Sequence, residues 1–327
     1  MDRHYIHFET PDLATLVNDT APPAGPEEVL IKVGHAGINR ADLLQRLGLY
    51  PPPEDASPIP GLEVAGQIVA VGERCTALKV GDRVCALTHG GGYASHAIAR
   101  EDHCLALPDS LSTEQGAALP EALLTVWYNV MERGQLSAGE TVLIHGGSSG
   151  IGSIGIQMAA ALGANVISTA GSAARCDAVK ALGASFVANH REGSLIEQIT
   201  KAGYGGKVDV ILDIAGGDLM QANLDLAAPD GRIVCIGVMR GMQSEINLAT
   251  LFMKRLTLTG STLRRLDTAE RARCFTAIRD RIWPQVIAGN IQPIVDTAYR
   301  LAEVLEAHEH MRLGTHLGKL VLDCRIG

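Results

Sequence analysis

Residues 144 to 155 read IHGGSSGIGSIG, and the spacing of glycine and serine in this stretch fits three kinds of chemistry. A G-x-S-x-G pattern that starts at Gly146 has the spacing of the elbow that presents a nucleophilic serine. A G-x-S-x-x-G pattern that starts at Gly147 has the spacing of a dinucleotide-binding loop, with serine in place of the middle glycine. A G-x-x-x-G-x-G pattern, again from Gly146, is a second kind of cofactor loop. The rest of the chain must decide among them.

The last pattern is that of short-chain dehydrogenases, in which the glycine loop opens the chain and a Tyr-x-x-x-Lys pair supplies the acid. In this chain the loop begins beyond residue 140, and none of the six tyrosines has a lysine four positions later. Both the position of the loop and the missing pair argue against this class.

The elbow pattern has its expected context, because an apolar strand precedes it and a helical segment follows it. His89-Gly-Gly-Gly92 is similar to an oxyanion loop, and Asp213 and His308 follow in the chain order of a hydrolase triad. However, the preceding part of the chain has the pattern of a β-barrel, and Gly152 and Gly155 suit a helix that begins close to a phosphate. A hydrolase is therefore the less favoured alternative.

The dinucleotide loop is favoured by both of its flanks. It lies between a predicted strand and a predicted helix, where exposed N–H groups and the helix dipole can hold a pyrophosphate. The loop residues predicted to contact this group are Gly147, Ser149, Gly150, Ile151 and Gly152.

The end of the next strand indicates which dinucleotide is bound. A site for NAD would carry Asp or Glu about 20 residues after the loop. The sequence there is Ser-Thr-Ala-Gly-Ser, ending at Ser172, with Arg175 close behind and no acidic residue. Ser172 and Arg175 favour a 2′-phosphate and hence NADP, the alternative being a surface turn with an incidental arginine.

From about residue 140 onward, strands alternate with helices. Strands are predicted at 141–144, 165–169, 186–187, 208–213, 232–236 and 256–259, with helices at 150–162, 173–182, 194–202 and from about 219. This alternation predicts a doubly wound parallel sheet of six strands. A helical stretch over 268–288 and a strand at 319–322 follow.

The first 120 residues have a different pattern, with short apolar strands separated by turns. Strands are predicted at 29–33 and 66–72, and a Gly-Asp turn at Gly81 precedes another. A proline-rich loop follows Tyr50. This is the pattern of a barrel or a sandwich.

Composition excludes several function classes. The net charge is −8 and no Lys/Arg-rich run occurs, which argues against nucleic-acid binding. The chain contains no stretch of about 18 apolar residues, so a membrane-spanning helix is not expected. The N-terminal sequence lacks the apolar region of a signal peptide. The seven cysteines are scattered without a C-x-x-C pair, as in a cytoplasmic protein with reduced thiols.

Five segments carry a resemblance to a known family. Gly61-Leu-Glu-Val-Ala-Gly66 and Lys79-x-Gly-Asp-Arg-Val84 resemble the GroES-like domain of medium-chain dehydrogenases and reductases. The run from Asn39 to Pro53, NRADLLQRLGLYPPP, is similar to the zeta-crystallin-like quinone oxidoreductases. The loop Ser148–Gly152 and Gly260-Ser-Thr-Leu-Arg264 resemble their tumour-suppressor-inducible branch.

The resemblance runs nearly end to end and implies an architecture. A GroES-like β-barrel domain is expected from residues 1–122 together with 264–327, and a Rossmann domain that binds NADP from residues 123–263. Relatives form dimers by pairing the last Rossmann strand, so the resemblance also implies a homodimer through residues 256–259.

The chain departs from the zinc alcohol dehydrogenases at the metal site. Where those enzymes carry a catalytic cysteine and histidine, this chain has Asn39 and Leu62, and a four-cysteine zinc cluster is missing. Without thiolate or imidazole ligands, no zinc site is expected. His308-Glu-His310 could chelate a metal, but a solvated helical face is the favoured interpretation. The resemblance then implies metal-free hydride transfer from NADPH to a quinone, by one or two electrons.

The resemblance also assigns roles to single residues. Tyr50 either orients the quinone oxygen, donates a proton or only packs, and Asn39 is either a hydrogen-bonding amide at the substrate or a turn residue. His190 stands where relatives often have a tyrosine near the 2′-phosphate. The residues expected at the nicotinamide are Thr125, Gly237, Met239 and Leu263, the alternative for Thr125 being a plain helix residue.

Two alternatives remain open from the sequence. The first is an NADPH-dependent enone or enoyl-thioester reductase on the same fold, which needs better proton delivery and a longer pocket. The second belongs to another class, a crystallin-like protein that binds NADPH without catalysis.

Overall fold

The computed structural model describes residues 1–326, which form two compact units. Unit 1 comprises Met1–Ala122, Asp267–Ile287 and the segment from Pro293 to the end of the described chain. Unit 2 comprises Leu123–Leu266 and Ala288–Gln292. From the sequence, the chain was expected to re-enter the first domain at residue 264. In the structure unit 1 resumes at Asp267, and residues 288–292 belong to unit 2.

Strands and helices are numbered in chain order. The strands are β1 Asp2–Thr10, β2 Leu13–Thr20, β3 Glu28–Gly37, β4 Glu63–Val71, β5 Arg83–Leu87, β6 His96–Arg100, β7 Cys104–Ala106, β8 Thr141–Ile144, β9 Asn165–Ala170, β10 Phe186–Asn189, β11 Val208–Asp213, β12 Ala227–Cys235, β13 Thr257–Gly260, β14 Val295–Arg300 and β15 Lys319–Asp323. The α-helices are α1 Arg40–Arg46, α2 Thr113–Gly116, α3 Pro120–Val126, α4 Gly150–Ala161, α5 Ala173–Ala181, α6 Leu195–Lys201, α7 Leu219–Leu226, α8 Leu248–Met253, α9 Thr268–Arg281, α10 Trp283–Ile287 and α11 Val304–Leu313. A π-helical turn, Trp127–Arg133, continues α3.

Unit 2 has the predicted doubly wound sheet. Its six strands are ordered β10-β9-β8-β11-β12-β13, and every neighbouring pair is parallel. The central strands are buried apolar runs, as expected where helices cover both faces of a sheet. The strand order reverses direction beside β8, so the loop that follows β8 lies at the switch point where such sheets bind ligands.

Unit 1 is built around a mainly antiparallel sheet. Its path is β14-β15-β3-β4-β5-β7, with β6 paired to β3, and the β1–β2 hairpin forms a separate two-stranded sheet. Val29, Ile31 and Val33 of β3 are almost completely buried in its core. The predicted turn is present, since Gly81 has a φ of +96° and β5 begins two residues later.

The single helical stretch predicted over 268–288 is wrong in one respect. The structure has two helices there, α9 and α10, with Ile282 between them. Pro284 explains the break, because proline has no N–H for the helical ladder and its ring clashes with the preceding turn.

Within the part of the chain that the structure describes, no helix has both the length and the apolar character needed to cross a bilayer.

Candidate functional site

The loop between β8 and α4 closes on itself. Ser149 is the N-cap residue of α4, and its Oγ accepts a hydrogen bond from the Gly152 N–H at 3.0 Å. The N–H of Ser149 donates to the Gly146 carbonyl oxygen at 2.9 Å. The first N–H groups of a helix have no intrahelical acceptor, and those of Gly150 and Ile151 have none elsewhere among residues 1–326. Two such donors at the positive end of a helix suit an anionic group.

Glycine is required in this loop because the backbone folds tightly onto itself. A Cβ at Gly152 would lie 2.7 Å from the Cα of Gly147 and closer still to the Gly146 carbonyl oxygen. Gly146 has a φ of +70°, which L side chains rarely adopt. The loop therefore forms a cradle of bare backbone, as close approach to a pyrophosphate requires.

The same geometry contradicts a serine elbow. A nucleophile elbow holds its serine in a strained turn. Across residues 1–326, the non-glycine residues with positive φ are Gln135, Asp230 and Arg255, so Ser148 is not in such a turn. Ser149 has an extended backbone, with φ −78° and ψ 167°, and its hydroxyl caps the helix.

The other two residues of the hydrolase hypothesis are already engaged. Asp213 Oδ1 accepts hydrogen bonds from the N–H groups of Ala215 at 2.7 Å and Gly216 at 2.9 Å. His308 lies in α11 of unit 1, fully buried, with Nε2 3.1 Å from the Tyr93 hydroxyl, and burial lowers its pKa to about 3. The interpretation of His308 as part of a solvated face was wrong, because the ring also stacks on Phe8.

The residues predicted for the 2′-phosphate lie together at the end of β9. Ser172 is the N-cap of α5, and its Oγ accepts the Arg175 N–H at 3.4 Å. A Cβ placed on Gly171 would lie 3.0 Å from Nε2 of His190 and 3.5 Å from Nε of Arg191. Desolvation lowers the pKa of His190, and the charges of Arg191 and Arg175 lower it further. Arg191 was not predicted at this site, although it directly follows His190.

Thr125 and the segment leading to Leu263 are tied together through Asn129 within unit 2. Asn129 lies in the π-helical turn, almost completely buried, and its Nδ2 donates to the Thr125 carbonyl oxygen at 2.9 Å. Its Oδ1 accepts the Ser261 hydroxyl at 2.6 Å. Leu263 begins a short 3₁₀ turn two residues later. Asn129 was not predicted, since an amide inside a helical segment carries no motif.

Gly237 and Met239 follow β12. A Cβ at Gly237 would lie 3.1 Å from the Ile214 carbonyl carbon and nearer to its oxygen, so two backbones meet there. The Met239 side chain is exposed. The structure thus brings five groups of predicted residues to the carboxyl side of one sheet, after β8, β9, β10, β12 and β13.

In unit 1, Asn39 belongs to a buried ionic cluster. Its Nδ2 donates to Glu63 Oε1 at 2.8 Å, and its Oδ1 accepts a hydrogen bond from the Lys319 ammonium at 2.7 Å. Lys319 also forms an ion pair with Glu63, and both side chains are almost completely buried. The Asn39 N–H donates to Asp42 Oδ2 at 2.8 Å, and this hydrogen bond lies at the start of α1. Asn39 is thereby fixed on both its side chain and its backbone.

Asp42 and Glu121 are the other acids of this cluster. Asp42 also accepts hydrogen bonds from the Gly61 N–H at 3.2 Å and the Tyr93 hydroxyl at 3.1 Å. Burial nevertheless raises its pKa to about 6. Glu121, at the start of α3, donates its N–H to Glu63 Oε2 at 2.9 Å. Burial and the charge of Glu63 raise the pKa of Glu121 to about 8.

Tyr50 lies near the same cluster by way of Arg271. The Arg271 guanidinium is buried, and its Nη1 lies 3.2 Å from Nδ1 of His89. Burial lowers the pKa of Arg271, while Glu121 and Tyr50 act in the opposite direction through their charges. Unit 1 therefore holds both residues predicted to contact the substrate, together with acids that the sequence analysis did not single out. Within the described chain, no group of three or more His, Cys, Asp or Glu side chains is placed to bind a metal.

Two protein families match the chain, each mainly within one of its two units. Residues 25–109 match the alcohol dehydrogenase GroES-like domain, and residues 150–278 match the family described as zinc-binding dehydrogenase. These matches confirm the predicted combination of a GroES-like domain with a Rossmann-type sheet.

Among curated proteins, the chain is 34% identical to the quinone oxidoreductase of Mus musculus, over 97% of this chain and 96% of that protein. It is also 34% identical to the mycocerosic acid synthase-like polyketide synthase of Mycobacterium tuberculosis, over 97% of this chain. The chain spans only 15% of the length of that synthase.

Solved structures give the same picture. The quinone oxidoreductase of Escherichia coli, crystallised in complex with NADPH, superposes with a TM-score of 0.84 at 30% identity, over 99% of this chain and all of that one. The CurK enoyl reductase superposes with a TM-score of 0.84 at 26% identity, over 98% of this chain and 99% of that one.

Proposed function

Because the chain belongs to the quinone oxidoreductase family of the medium-chain dehydrogenases and reductases, we propose that it transfers hydride from NADPH to a quinone. The observation that carries this proposal is the bare cradle after β8, where the N–H groups of Gly150 and Ile151 have no acceptor within residues 1–326. NADPH, when bound, supplies the hydride. The chain's own residues would bind the cofactor, orient the quinone against it and exclude water from the site.

The residues of unit 2 fit a bound dinucleotide in three groups. The backbone of Gly147, Ser149, Gly150, Ile151 and Gly152 would hold the pyrophosphate. Ser172, Arg175 and His190 would hold the 2′-phosphate, with Arg191 beside them; no acidic residue occurs in β9 or directly after it to select a ribose hydroxyl. Thr125, Gly237, Met239 and Leu263 would line the nicotinamide, and the Asn129 hydrogen bonds fix two of these segments.

Unit 1 would supply the quinone contacts, through Asn39 and Tyr50, and would do so without zinc. Asn39 stands where zinc-dependent relatives carry a soft metal ligand. Its amide oxygen accepts a hydrogen bond from the Lys319 ammonium group and is therefore not free to bind a metal ion. Quinones accept hydride without a Lewis acid because the product ring is aromatic. The protein therefore needs to align the ring and deliver a proton, not to polarise a ketone.

Two further properties are part of the proposal. A homodimer would form through β13, an edge strand whose neighbourhood exposes Phe252, Met253 and Leu258. A cytoplasmic location agrees with the seven cysteines, all of them thiols in the described chain.

The second candidate is an enoyl or enone reductase, which the likeness to the CurK enoyl reductase favours. Both candidates would use the same nucleotide cradle and differ only in the acceptor.

Oxidation of NADPH and NADH, followed at the absorbance band of reduced nicotinamide, separates the candidates. We expect rapid oxidation of NADPH with 1,2-naphthoquinone, slower oxidation of NADH, and little turnover with a medium-chain enone. Turnover with the enone alone would transfer the protein to the second candidate. Tight NADPH binding without turnover of either acceptor would leave a cofactor-binding protein of the crystallin type.

A further inference from the structure

The buried cluster of unit 1 contains more acids than its cations can balance. Lys319 and Arg271 are its two cations, and Glu63, Asp42 and Glu121 are its three carboxyl groups. Each of the other four groups acts on Glu121 from a different element: β4, α1, α9 and β15. Because uncompensated charge is costly away from water, two cations support two carboxylates, and the third acid should hold a proton.

Hydrogen bonds indicate which two acids are ionised. Glu63 accepts hydrogen bonds from the Lys319 ammonium, from Nδ2 of Asn39 and from the N–H of Glu121. Asp42 accepts from the N–H groups of Asn39 and Gly61 and from the Tyr93 hydroxyl. Donors of this number stabilise a carboxylate.

Glu121 lacks any such donor. Its carboxyl group makes no hydrogen bond or ion pair within residues 1–326, and its N–H is bonded to Glu63, which fixes it beside a negative charge. The side chain is only partly buried, so its carboxyl group keeps access to water or to a ligand. A neutral acid in this position can donate a proton, as a carboxylate cannot.

We propose that the Glu121 carboxyl group holds the proton that quinone reduction consumes. This inference rests on the proposed function. Hydride transfer would break a C–H bond of the reduced nicotinamide, which is thereby oxidised, and would bring two electrons and one proton to the quinone, leaving one oxygen of the reduced ring as a phenolate. The Glu121 O–H bond breaks, the phenol O–H bond forms on that oxygen, and the Glu121 carboxylate takes a replacement proton from water. Arg271 offsets the charge of the carboxylate in the interval.

The titration behaviour agrees with this geometry. Burial first, and then the charges of Glu63 and Asp42, raise the pKa of Glu121 to about 8, while Lys319 and Arg271 act against the rise. Because the raised value lies above neutrality, the acid is protonated at pH about 7, where a general acid must carry its proton.

Glu121→Gln tests the inference, since the amide has the shape of the protonated acid but carries no transferable proton. Infrared spectra of the cofactor-free protein should show a carboxylic-acid C=O band at pH about 7 that is lost in this variant and titrates near pH 8. In turnover with NADPH and 1,2-naphthoquinone, kcat should fall about 100-fold. The decline of the wild-type kcat/KM above pH 8 should disappear in Glu121→Gln and persist in Glu121→Asp.

Glu114→Gln, a partly buried glutamate at the start of α2, is the matched control and should alter neither the band nor the rate. Absence of the infrared band in wild type overturns the inference, whatever the activity. A band with an unchanged rate in Glu121→Gln overturns the donor role alone. If wild type turns over no quinone, the proposed function fails and the donor role with it, while the band still reports the protonation of Glu121.

Discussion

Asp42 shows at the scale of one residue that hydrogen bonds do not always offset burial. It accepts three hydrogen bonds, yet loss of hydration raises its pKa from 3.8 to about 6. An acid whose pKa is raised by folding stabilises the fold fully below its unfolded pKa, and this contribution is lost as the pH rises through the folded pKa. The window is therefore pH 3.8 to about 6.

We predict that Asp42→Asn removes this dependence. Relative to wild type, the free energy of unfolding of the variant should rise by about 3 kcal/mol between pH about 4 and about 7, because the amide does not titrate. Urea unfolding of both proteins across this range measures the difference, and a constant offset from the lost carboxylate does not affect the slope. Parallel stability profiles would show that Asp42 keeps an ordinary pKa in the fold.

The residues of the unit 1 cluster could be predicted from sequence only in part. Asn39 and Tyr50 lie in one run that carries the family resemblance, so both could be named as candidates from the sequence. Glu63, Glu121 and Lys319 come from β4, α3 and β15, far apart in the chain. Their meeting depends on the pairing of β15 and β4 with β3, which no local pattern predicts.

One hydroxyl group, that of Ser149, caps the start of helix α4. Ser149 satisfies the N–H of Gly152, whereas the Ser148 hydroxyl makes no hydrogen bond in the described chain. We predict that Ser149→Ala lowers the free energy of unfolding by about 1 kcal/mol. It should also weaken NADPH binding, because the loop loses the hydrogen bond between the Gly152 N–H and the Ser149 hydroxyl. Urea unfolding and a fluorescence titration with NADPH measure the two effects.

Ser148→Ala is the matched control for that experiment, and we expect it to leave stability, NADPH binding and quinone turnover unchanged. The pair also tests the hydrolase alternative, in which Ser148 would be the nucleophile. Equal losses from both substitutions would mean that the loop, and not the Ser149 hydroxyl, sets the stability of the helix start.

Sequence patterns predicted the elements of unit 2 better than those of unit 1. The central strands of unit 2, β8 and β11, are buried on both faces and appear as largely apolar runs. β1 buries a single residue, Ile6, β2 buries none, and β14 alternates between half-buried and exposed residues, so no run of buried apolar residues marks these three strands. The break between α9 and α10 depends on Pro284 alone, a single residue within an otherwise helical pattern.

At the scale of the whole molecule, the unit 2 sheet ends in two edge strands, β10 and β13. An exposed edge strand offers unpaired N–H and C=O groups to another chain. Around β13 four large apolar side chains are exposed, with Leu258 41%, Leu248 62%, Phe252 68% and Met253 73% exposed. At the β10 edge, by contrast, Gln198 hydrogen-bonds to the backbone of Asn189 and covers the strand end.

This asymmetry leads to the prediction of a two-fold dimer in which β13 pairs with β13 of a second copy, which continues the sheet and satisfies both edges. Sedimentation should give a dimer for wild type at micromolar concentration. Leu258→Lys should give a monomer, because it places a charge in the apolar patch and opposite its own copy. Leu313→Lys, at an exposed leucine of unit 1, is the control and should remain dimeric. A wild-type monomer would leave the apolar surface around β13 without its proposed partner, and an unchanged dimer in Leu258→Lys would place the interface elsewhere.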